Sequence, residues 1–173
     1  MKRVLIIGGN GAGKSTLSRE LSEILGIPVI HLDKLYWTDG WVPRGKPEFL
    51  ELLRAELEKD SWILDGNMRS SLPERLGYCD TVIYLDYPGI VCFFGVLSRV
   101  IRNYGRARVD MCEGCPERLD MKFLLGTLGF RRENRKNFLR QIGEAEGVRA
   151  VVLKSRRQAR KFLDSVGVSG DKS

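Results

Sequence analysis

The chain has 173 residues, of which 43% are hydrophobic and 29% charged, and this balance excludes a disordered or fibrous protein. Its most apolar later stretch, residues 89–97, is far shorter than the roughly 20 residues that a membrane span needs, so we expect a cytoplasmic protein without membrane spans. The formal net charge of +7 favours anionic partners such as nucleotides, nucleic acid or acidic surfaces, and the charge alone does not choose among them.

Short apolar runs alternate along the chain with longer segments of helical periodicity. The predicted strands are residues 4–7, 29–32, 62–64, 81–85 and 150–153. The predicted helices are residues 14–25, 47–59, 89–104, 123–145 and 156–166. Alternating strands and helices predict a parallel sheet covered on both faces. We therefore expect one domain of the α/β class over residues 1–168, a three-layer α/β/α arrangement around a mostly parallel five-stranded sheet, and a disordered tail at residues 169–173.

The first strand and the first helix are joined by the stretch GGNGAGKST, residues 8–16. It matches the phosphate-binding loop pattern G-x-x-x-x-G-K-[ST], and it stands between a strand and a helix as that loop requires. Its glycines let successive backbone N–H groups surround phosphates, and the helix N-terminus adds positive charge. We predict that ATP is held by Gly8, Asn10, Gly11, Ala12, Gly13, Lys14, Ser15 and Thr16. Lys14 would reach the β- and γ-phosphates, Ser15 would hold Mg²⁺, and Thr16 would bind the α-phosphate.

Two acidic residues follow predicted strands, where ligands gather in open α/β sheets. Asp65 is predicted to hold Mg²⁺ through water, and Asp33 to orient or deprotonate an acceptor hydroxyl. The alternative for each is a helix N-cap or a turn carboxylate. His31 lies within the second strand, and we expect its imidazole to be buried and hydrogen-bonded.

Between the second and third strands stands an aromatic cluster, residues 36–41, from which we select Trp37 as a substrate-binding residue. Such rings stack on a base or sugar, or else they plug the cap of a helical excursion. Further along, Cys112 and Cys115 have the spacing of half a zinc site, but no second pair follows them. We therefore predict a tight turn there, with metal binding across a dimer as the alternative.

Two basic runs lie around residues 105–119, and the first of them extends into that range. They comprise Arg99, Arg102, Arg106 and Arg108, and then Arg131, Arg132, Arg135, Lys136 and Arg140. Catalysis of phosphoryl transfer consists mostly of positioning and of cations around the transferred group. Residues 105–119 are therefore predicted to form a lid that brings in arginines and excludes water. The alternative is a solvated basic helix face.

These motifs together resemble those of the adenylate-kinase-like nucleotide kinases of the P-loop superfamily. More closely, IPVIHLDKLYW, WILDGN and GRARVDMCEGCPERLD are similar to the bacterial topology modulation (FlaR-like) family. The resemblance implies that Asp65 heads an Asp-Gly-x-x-Arg motif in which Arg69 contacts the phosphate of the acceptor. Arg102 and Arg106 match the lid-entry pattern Arg-x-x-Gly-Arg, which implies catalytic contacts with the donor phosphates.

The resemblance also implies functional arginines after the lid; we select Arg132 as a substrate-binding residue, and which of Arg131, Arg132 and Arg135 takes the catalytic role stays open. The chain departs from adenylate kinases after its second strand, where HLDKLYWTDGW replaces the helical AMP-binding insert and its arginine. This departure argues against AMP as acceptor. An acidic residue at the end of the second strand, followed by aromatic residues, resembles the arrangement in kinases that hold an acceptor hydroxyl.

We therefore predict an enzyme, a P-loop phosphotransferase that uses ATP and Mg²⁺ to phosphorylate a small acceptor, a nucleotide or nucleoside. Its predicted catalytic residues are Lys14, Asp33, Arg102 and Arg106. The alternative is an ATP-binding regulatory protein that acts on DNA through its basic surface, including the basic run at residues 156–161. That run is followed by apolar residues at helical spacing, as in a packed terminal helix, so nucleic acid is the weaker partner hypothesis. The sequence names neither the acceptor nor the oligomeric state.

Overall fold

The computed structural model describes residues 1–170, with the side chains described through residue 168. The strands are β1 (Arg3–Gly8), β2 (Val29–His31), β3 (Trp37–Thr38), β4 (Val42–Pro43), β5 (Trp62–Asp65), β6 (Thr81–Leu85) and β7 (Arg149–Leu153). The helices are α1 (Lys14–Leu25), α2 (Leu32–Tyr36), α3 (Lys46–Leu57), α4 (Leu72–Tyr78), α5 (Gly89–Asn103), α6 (Met121–Glu144) and α7 (Arg156–Gly170).

Five strands form one parallel sheet in the order β2–β5–β1–β6–β7, and β3 and β4 form a separate antiparallel hairpin. The pairing register brings the strand ends level with one another. Asp65 at the end of β5 pairs with His31 at the end of β2, and Gly8 at the end of β1 pairs with Leu85. The segments that follow these strands therefore meet at one edge of the sheet, as is general for parallel sheets.

The core lies in two layers, one on each face of the sheet. Alternate β1 residues point to opposite faces, so that Leu5 and Ile7 join one buried cluster while Val4 and Ile6 join the other. The first cluster is completed by α3, α4 and α6, and the second by α1, α7 and the start of α5. The predicted three-layer α/β/α fold with a five-stranded parallel sheet is confirmed.

Three elements of the structure were not predicted from the sequence: α2, the β3–β4 hairpin and α4. The strands and helices concerned are two to seven residues long, which is too short for the sequence to show a hydrophobic periodicity. At the other end, α7 continues to Gly170, two residues into the predicted tail, and residues 171–173 lie outside the described part of the chain. No helix within the described residues is long and apolar enough to cross a membrane.

Candidate active site

The phosphate-binding loop is pressed closely against α5. Gly11 and Gly13 have φ angles of +80° and +91°, in the left-handed region that glycine tolerates. A Cβ atom on Gly11 would lie 2.2 Å from the backbone oxygen of Cys92, so only glycine fits there. The first N–H groups of α1 have no partners within the helix, and the turn before it leaves them for an anion.

The start of the loop is fixed by Asn67, which follows β5. The Gly8 N–H donates to Asn67 Oδ1 at 3.0 Å, and Asn67 Nδ2 donates to the Gly8 carbonyl oxygen. A single side chain thus satisfies both backbone groups of the last β1 residue. Asn67 was not selected from the sequence, although its place directly after the Asp65-Gly66 pair was a usable signal.

Lys14 is the first residue of α1, and its ammonium folds back over the loop. Nζ donates to the carbonyl oxygens of Gly8 at 3.0 Å and Gly9 at 3.2 Å. Burial lowers the pKa of Lys14, while the nearby carboxylates of Asp65 and Asp33 oppose that shift. The lysine therefore lies inside the cleft with its positive charge close to both predicted acids.

Asp65 is 5% exposed, and both of its carboxylate oxygens have partners. Oδ1 lies 3.0 Å from His31 Nδ1, and Oδ2 accepts a hydrogen bond of 3.1 Å from Ser18 Oγ. His31 is thus hydrogen-bonded, as expected, but it is only partly buried, with its side chain 10% exposed. Each carboxylate oxygen can accept a further bond, so these contacts leave Asp65 able to accept one from a water. The role of Asp65 toward Mg²⁺ stays a prediction.

Asp33 lies in the first turn of α2, and its side chain is open to solvent along the cleft while protein surrounds it on other sides. That burial raises the pKa of the carboxyl; Lys14 acts in the opposite direction and Asp65 adds to the rise. The N-cap of α2 is His31, and no side chain caps this helix. Asp33 is therefore not the cap that the alternative interpretation required.

The segment that joins α5 to α6, residues 104–120, will be called the connecting segment; it contains the predicted lid. Its Asp110 accepts a hydrogen bond of 2.8 Å from Ser15 Oγ and lies 2.8 Å from Arg108 Nη1. Glu117, 4% exposed, lies 2.8 Å from Arg108 Nε and 3.0 Å from Arg99 Nη2. One buried carboxylate thus holds two guanidinium groups that line the cleft.

Sequence reasoning missed the roles of Asp110 and Glu117. The only signal was the presence of acidic residues within an otherwise basic lid, and the sequence alone does not tell which basic residue they would meet.

The arginines selected from the lid-entry pattern differ in position. Arg102 is exposed and lines the cleft, together with Arg99, Arg108, Arg156 and Arg160. Arg106 is not among the described residues that line it; its carbonyl oxygen accepts a hydrogen bond from the Glu117 N–H at 2.9 Å. Arg108, two residues later, occupies the position beside the phosphate-binding loop instead.

Three residues predicted to bind the acceptor lie outside the lining of this cleft, as far as the described residues show. Trp37 packs edge-on against Tyr36, with ring centroids 4.9 Å apart. Arg69 donates to Asn134 Oδ1 at 2.9 Å. Arg132 is exposed and lines a separate pocket beside the start of α5. The structure thus brings Lys14 and the two acids together but does not bring these three to them.

The aromatic hairpin packs on the connecting segment. Trp41 Nε1 donates to the Pro116 carbonyl oxygen at 3.2 Å, and the Gly40 N–H donates to the Gly114 carbonyl oxygen at 2.9 Å. The Cys115 N–H bonds to the Cys112 carbonyl oxygen at 3.1 Å, so the predicted tight turn is confirmed. Within the described residues, no group of three or more histidine, cysteine or acidic side chains is arranged to hold a metal ion.

The cleft has a volume of about 960 Å³ and is lined by the phosphate-binding loop, by His31, Asp33 and Asp65, and by the connecting segment. Ligand pockets commonly enclose about 300–1,000 Å³. The space is therefore sufficient for a nucleoside triphosphate and a small second molecule.

No family model matches the chain. A curated relative, the uncharacterized protein YqaC of Bacillus subtilis, is 30% identical over 106 residues, which cover 60% of this chain and 60% of that protein. The shikimate kinase of Parabacteroides distasonis is 35% identical over 68 residues, which cover 34% of this chain and 38% of that enzyme. The chain therefore aligns with less than two thirds of the length of either relative.

Solved structures match over nearly the whole chain. The shikimate kinase of Bacteroides thetaiotaomicron is 19% identical with a TM-score of 0.56, and it covers 98% of both chains. The shikimate kinase of Acinetobacter baumannii in complex with shikimate is 16% identical with a TM-score of 0.58, over 99% of this chain and 95% of that one. The chain shares the fold of these two kinases, and the predicted fold is thereby confirmed.

Proposed function

We propose that this protein transfers the γ-phosphoryl group of ATP to a hydroxyl group of a small polar molecule. The observation that carries the proposal is the meeting of Lys14 and Asp33 in one cleft, at the mouth of the phosphate-binding loop. A cation for the phosphates and a carboxylate for the acceptor are the two groups that such a transfer needs side by side.

The donor side is built from the phosphate-binding loop and from arginines. Lys14 exchanges its hydrogen bonds to the carbonyl oxygens of its own loop for contacts with phosphate oxygens. Arg99 of α5 and Arg108 of the connecting segment supply further positive charge. The residues fit Mg²⁺, because Ser15 and Asp65 offer the oxygen ligands that it prefers. When bound, Mg²⁺ neutralises charge on the β- and γ-phosphates. Few protein ligands are needed, since phosphates and waters supply the others.

On the acceptor side, Asp33 takes the proton. The acceptor oxygen forms a bond to the γ-phosphorus, the bond from that phosphorus to the bridging oxygen breaks, and ADP leaves with the electron pair. The hydroxyl proton passes to the Asp33 carboxylate. Burial raises the pKa of Asp33 and so makes it a better base than an ordinary aspartate.

The acceptor is proposed to be a hydroxylated metabolite without a phosphate group, with shikimate as the first compound to test. Arg69, which was predicted to hold an acceptor phosphate, and Arg132, which was predicted to bind the substrate, lie outside the cleft lining among the described residues. A curated relative and two solved structures of the same fold carry the name shikimate kinase. The nucleotide or nucleoside expected from the sequence is the second acceptor class.

The test is a phosphoryl-transfer screen with labelled ATP against shikimate, nucleosides and nucleoside monophosphates. Asp33→Asn should slow transfer to the accepted compound by about 10²–10⁴-fold and leave ATP affinity nearly unchanged. Asp60→Asn is the matched control, since Asp60 is an exposed acid outside the cleft lining. Transfer that continues at the wild-type rate in Asp33→Asn would remove Asp33 from this role. Failure of every acceptor to be phosphorylated would contradict the proposed function.

Part of the basic surface that the DNA-binding alternative requires lies inside the cleft. Arg156 and Arg160 line the nucleotide cleft, while Leu163 and Val166 of the same helix are buried in the core. Binding to DNA through phosphates should weaken steeply with salt. Titration of a DNA duplex at two salt concentrations therefore tests the alternative, and binding that is strong at low salt and lost at high salt would favour it. The finer resemblance to the topology modulation family stays a prediction.

A further inference from the structure

The connecting segment places a carboxylate directly on the serine of the phosphate-binding loop. Ser15 Oγ donates to Asp110 Oδ2 at 2.8 Å, although the two residues are 95 positions apart. The side chain of Asp110 is 17% exposed, and Arg108 Nη1 lies 2.8 Å from the same oxygen. Neither the motif nor the comparisons assign any role to Asp110.

The contact determines which parts of the Ser15 hydroxyl are available to a metal. A serine hydroxyl has one hydrogen and two lone pairs, and it rotates freely to suit its partners. In this structure the hydrogen is directed to Asp110. The lone pairs are thereby turned away from Asp110, and they are the groups with which an oxygen ligand binds Mg²⁺.

Asp110 is held in place by more than Ser15. The Arg108 guanidinium that pairs with it is itself bound to the buried Glu117. The connecting segment is further fixed to the β3–β4 hairpin by hydrogen bonds from Gly40 to Gly114 and from Trp41 to Pro116. These ion pairs and hydrogen bonds therefore fix the position of the Asp110 carboxylate beside the loop.

We propose that Asp110 is a positioning residue for the metal: it accepts the Ser15 hydroxyl hydrogen, directs the oxygen lone pairs to Mg²⁺, and so links the placement of the connecting segment to binding of the metal–nucleotide complex. The inference rests on the proposed function, since it requires that Mg²⁺ and a nucleotide occupy this cleft. Residues that orient metal ligands in this way change metal affinity by about 10–100-fold when they are removed.

A different reading of the same contact makes the opposite prediction. If the Asp110 carboxylate occupied the place of the metal or of a phosphate, it would have to leave before the nucleotide binds. Removal of Asp110 would then strengthen binding of the metal–nucleotide complex. The sign of the effect therefore separates a positioning residue from a competitor.

The experiment is calorimetric titration of the full chain with a non-hydrolysable ATP analogue, in EDTA and across a series of Mg²⁺ concentrations. The variants are Asp110→Ala, Asp110→Asn and the control Glu113→Gln, which changes an exposed acid of the same segment. We expect Asp110→Ala to raise the Mg²⁺ concentration needed for half of the affinity gain about tenfold. The affinity in EDTA should change little. Asp110→Asn should be intermediate, because its amide oxygen still accepts the hydroxyl hydrogen, and Glu113→Gln should match the wild type.

An unchanged Mg²⁺ dependence in Asp110→Ala overturns the inference, and tighter binding overturns it in favour of the competitor. Circular dichroism checks that the variants are folded, and Asp110→Asn carries the test if Asp110→Ala is not. No acceptor and no turnover are needed, so a negative acceptor screen leaves this result standing. If the wild-type protein gains no nucleotide affinity from Mg²⁺, the proposed function and this inference fail together.

Discussion

The packing of the phosphate-binding loop on α5 predicts a large loss of stability for Gly11→Ala. The new Cβ would lie 2.2 Å from the Cys92 oxygen and 2.6 Å from the Val96 nitrogen, and both are backbone atoms of a helix. Such atoms cannot turn aside as the end of a side chain can, so the loop or the helix must move. Overpacking of this kind costs about 1–3 kcal/mol. The φ of +80° adds about 1–2 kcal/mol for a residue with a Cβ.

Gly13→Ala is the matched control in the same loop. Its φ of +91° carries a similar conformational cost, but a Cβ there would meet nothing within 4 Å. The difference between the two variants therefore isolates the packing against α5, about 1–3 kcal/mol. In a domain of this size that corresponds to about 2–12 °C in the midpoint of thermal unfolding, with Gly11→Ala the lower. Calorimetry or urea unfolding of both variants without nucleotide measures it. Equal midpoints would show that the loop does not rest on the α5 backbone.

Three further predictions concern single side chains. Lys14→Ala should abolish transfer while leaving the fold intact, because its ammonium, which folds back over the loop, is the proposed contact for the phosphates; undiminished turnover at saturating ATP would contradict this. Since the pKa of Asp33 is raised by folding, its ionisation opposes folding as pH rises above 3.8. Asp33→Asn should therefore be more stable than the wild type at pH 7, and urea unfolding should show the gain shrinking toward acid pH. Arg75, fully buried, donates to three carbonyl oxygens of the loop after β5, and burial lowers its pKa to about 10. Arg75→Met should lower the free energy of unfolding, measured with urea, by roughly 2–4 kcal/mol. Arg54→Met, which removes an exposed arginine, should change it little, and equal effects would argue against a stabilising role of the Arg75 hydrogen bonds.

The sheet and the donor side could be predicted because their signals are local. The loop motif fits within nine residues, and the β1 run beside it is fully buried. Lys14 was found from the loop motif, and Asp33 and Asp65 from the rule that ligands gather at the ends of parallel strands, which the sheet order brings together. Neither step needed knowledge of how distant segments pack.

The arginines show what local signals leave out. On α6, Arg131 and Arg135 both pair with the buried Asp86, whereas Arg132 lines the same pocket without an ion pair to Asp86 in the described part of the chain. A helix turns about 100° per residue, so neighbours in sequence face different surroundings. The face that packs is set by the contacts of Asp86, which the sequence does not state. In the connecting segment, the Arg108 guanidinium pairs with the Glu117 carboxylate, whereas Arg106 contacts Glu117 through its backbone carbonyl oxygen.

The long-range contacts that could not be predicted from the sequence are also the ones that join the donor side of the proposed reaction to the acceptor side. The connecting segment touches the donor side through Asp110 and Ser15, and it touches the hairpin that follows Asp33 through Gly114 and Pro116. We therefore predict that closure of this segment over ATP would also draw the hairpin that follows Asp33 inward. Covering both substrates in this way would exclude water, which is the condition a kinase needs to avoid hydrolysing ATP. The loop motif by itself predicts phosphate binding, whereas the proposed preference for a kinase over an ATPase rests on contacts between residues more than 70 positions apart.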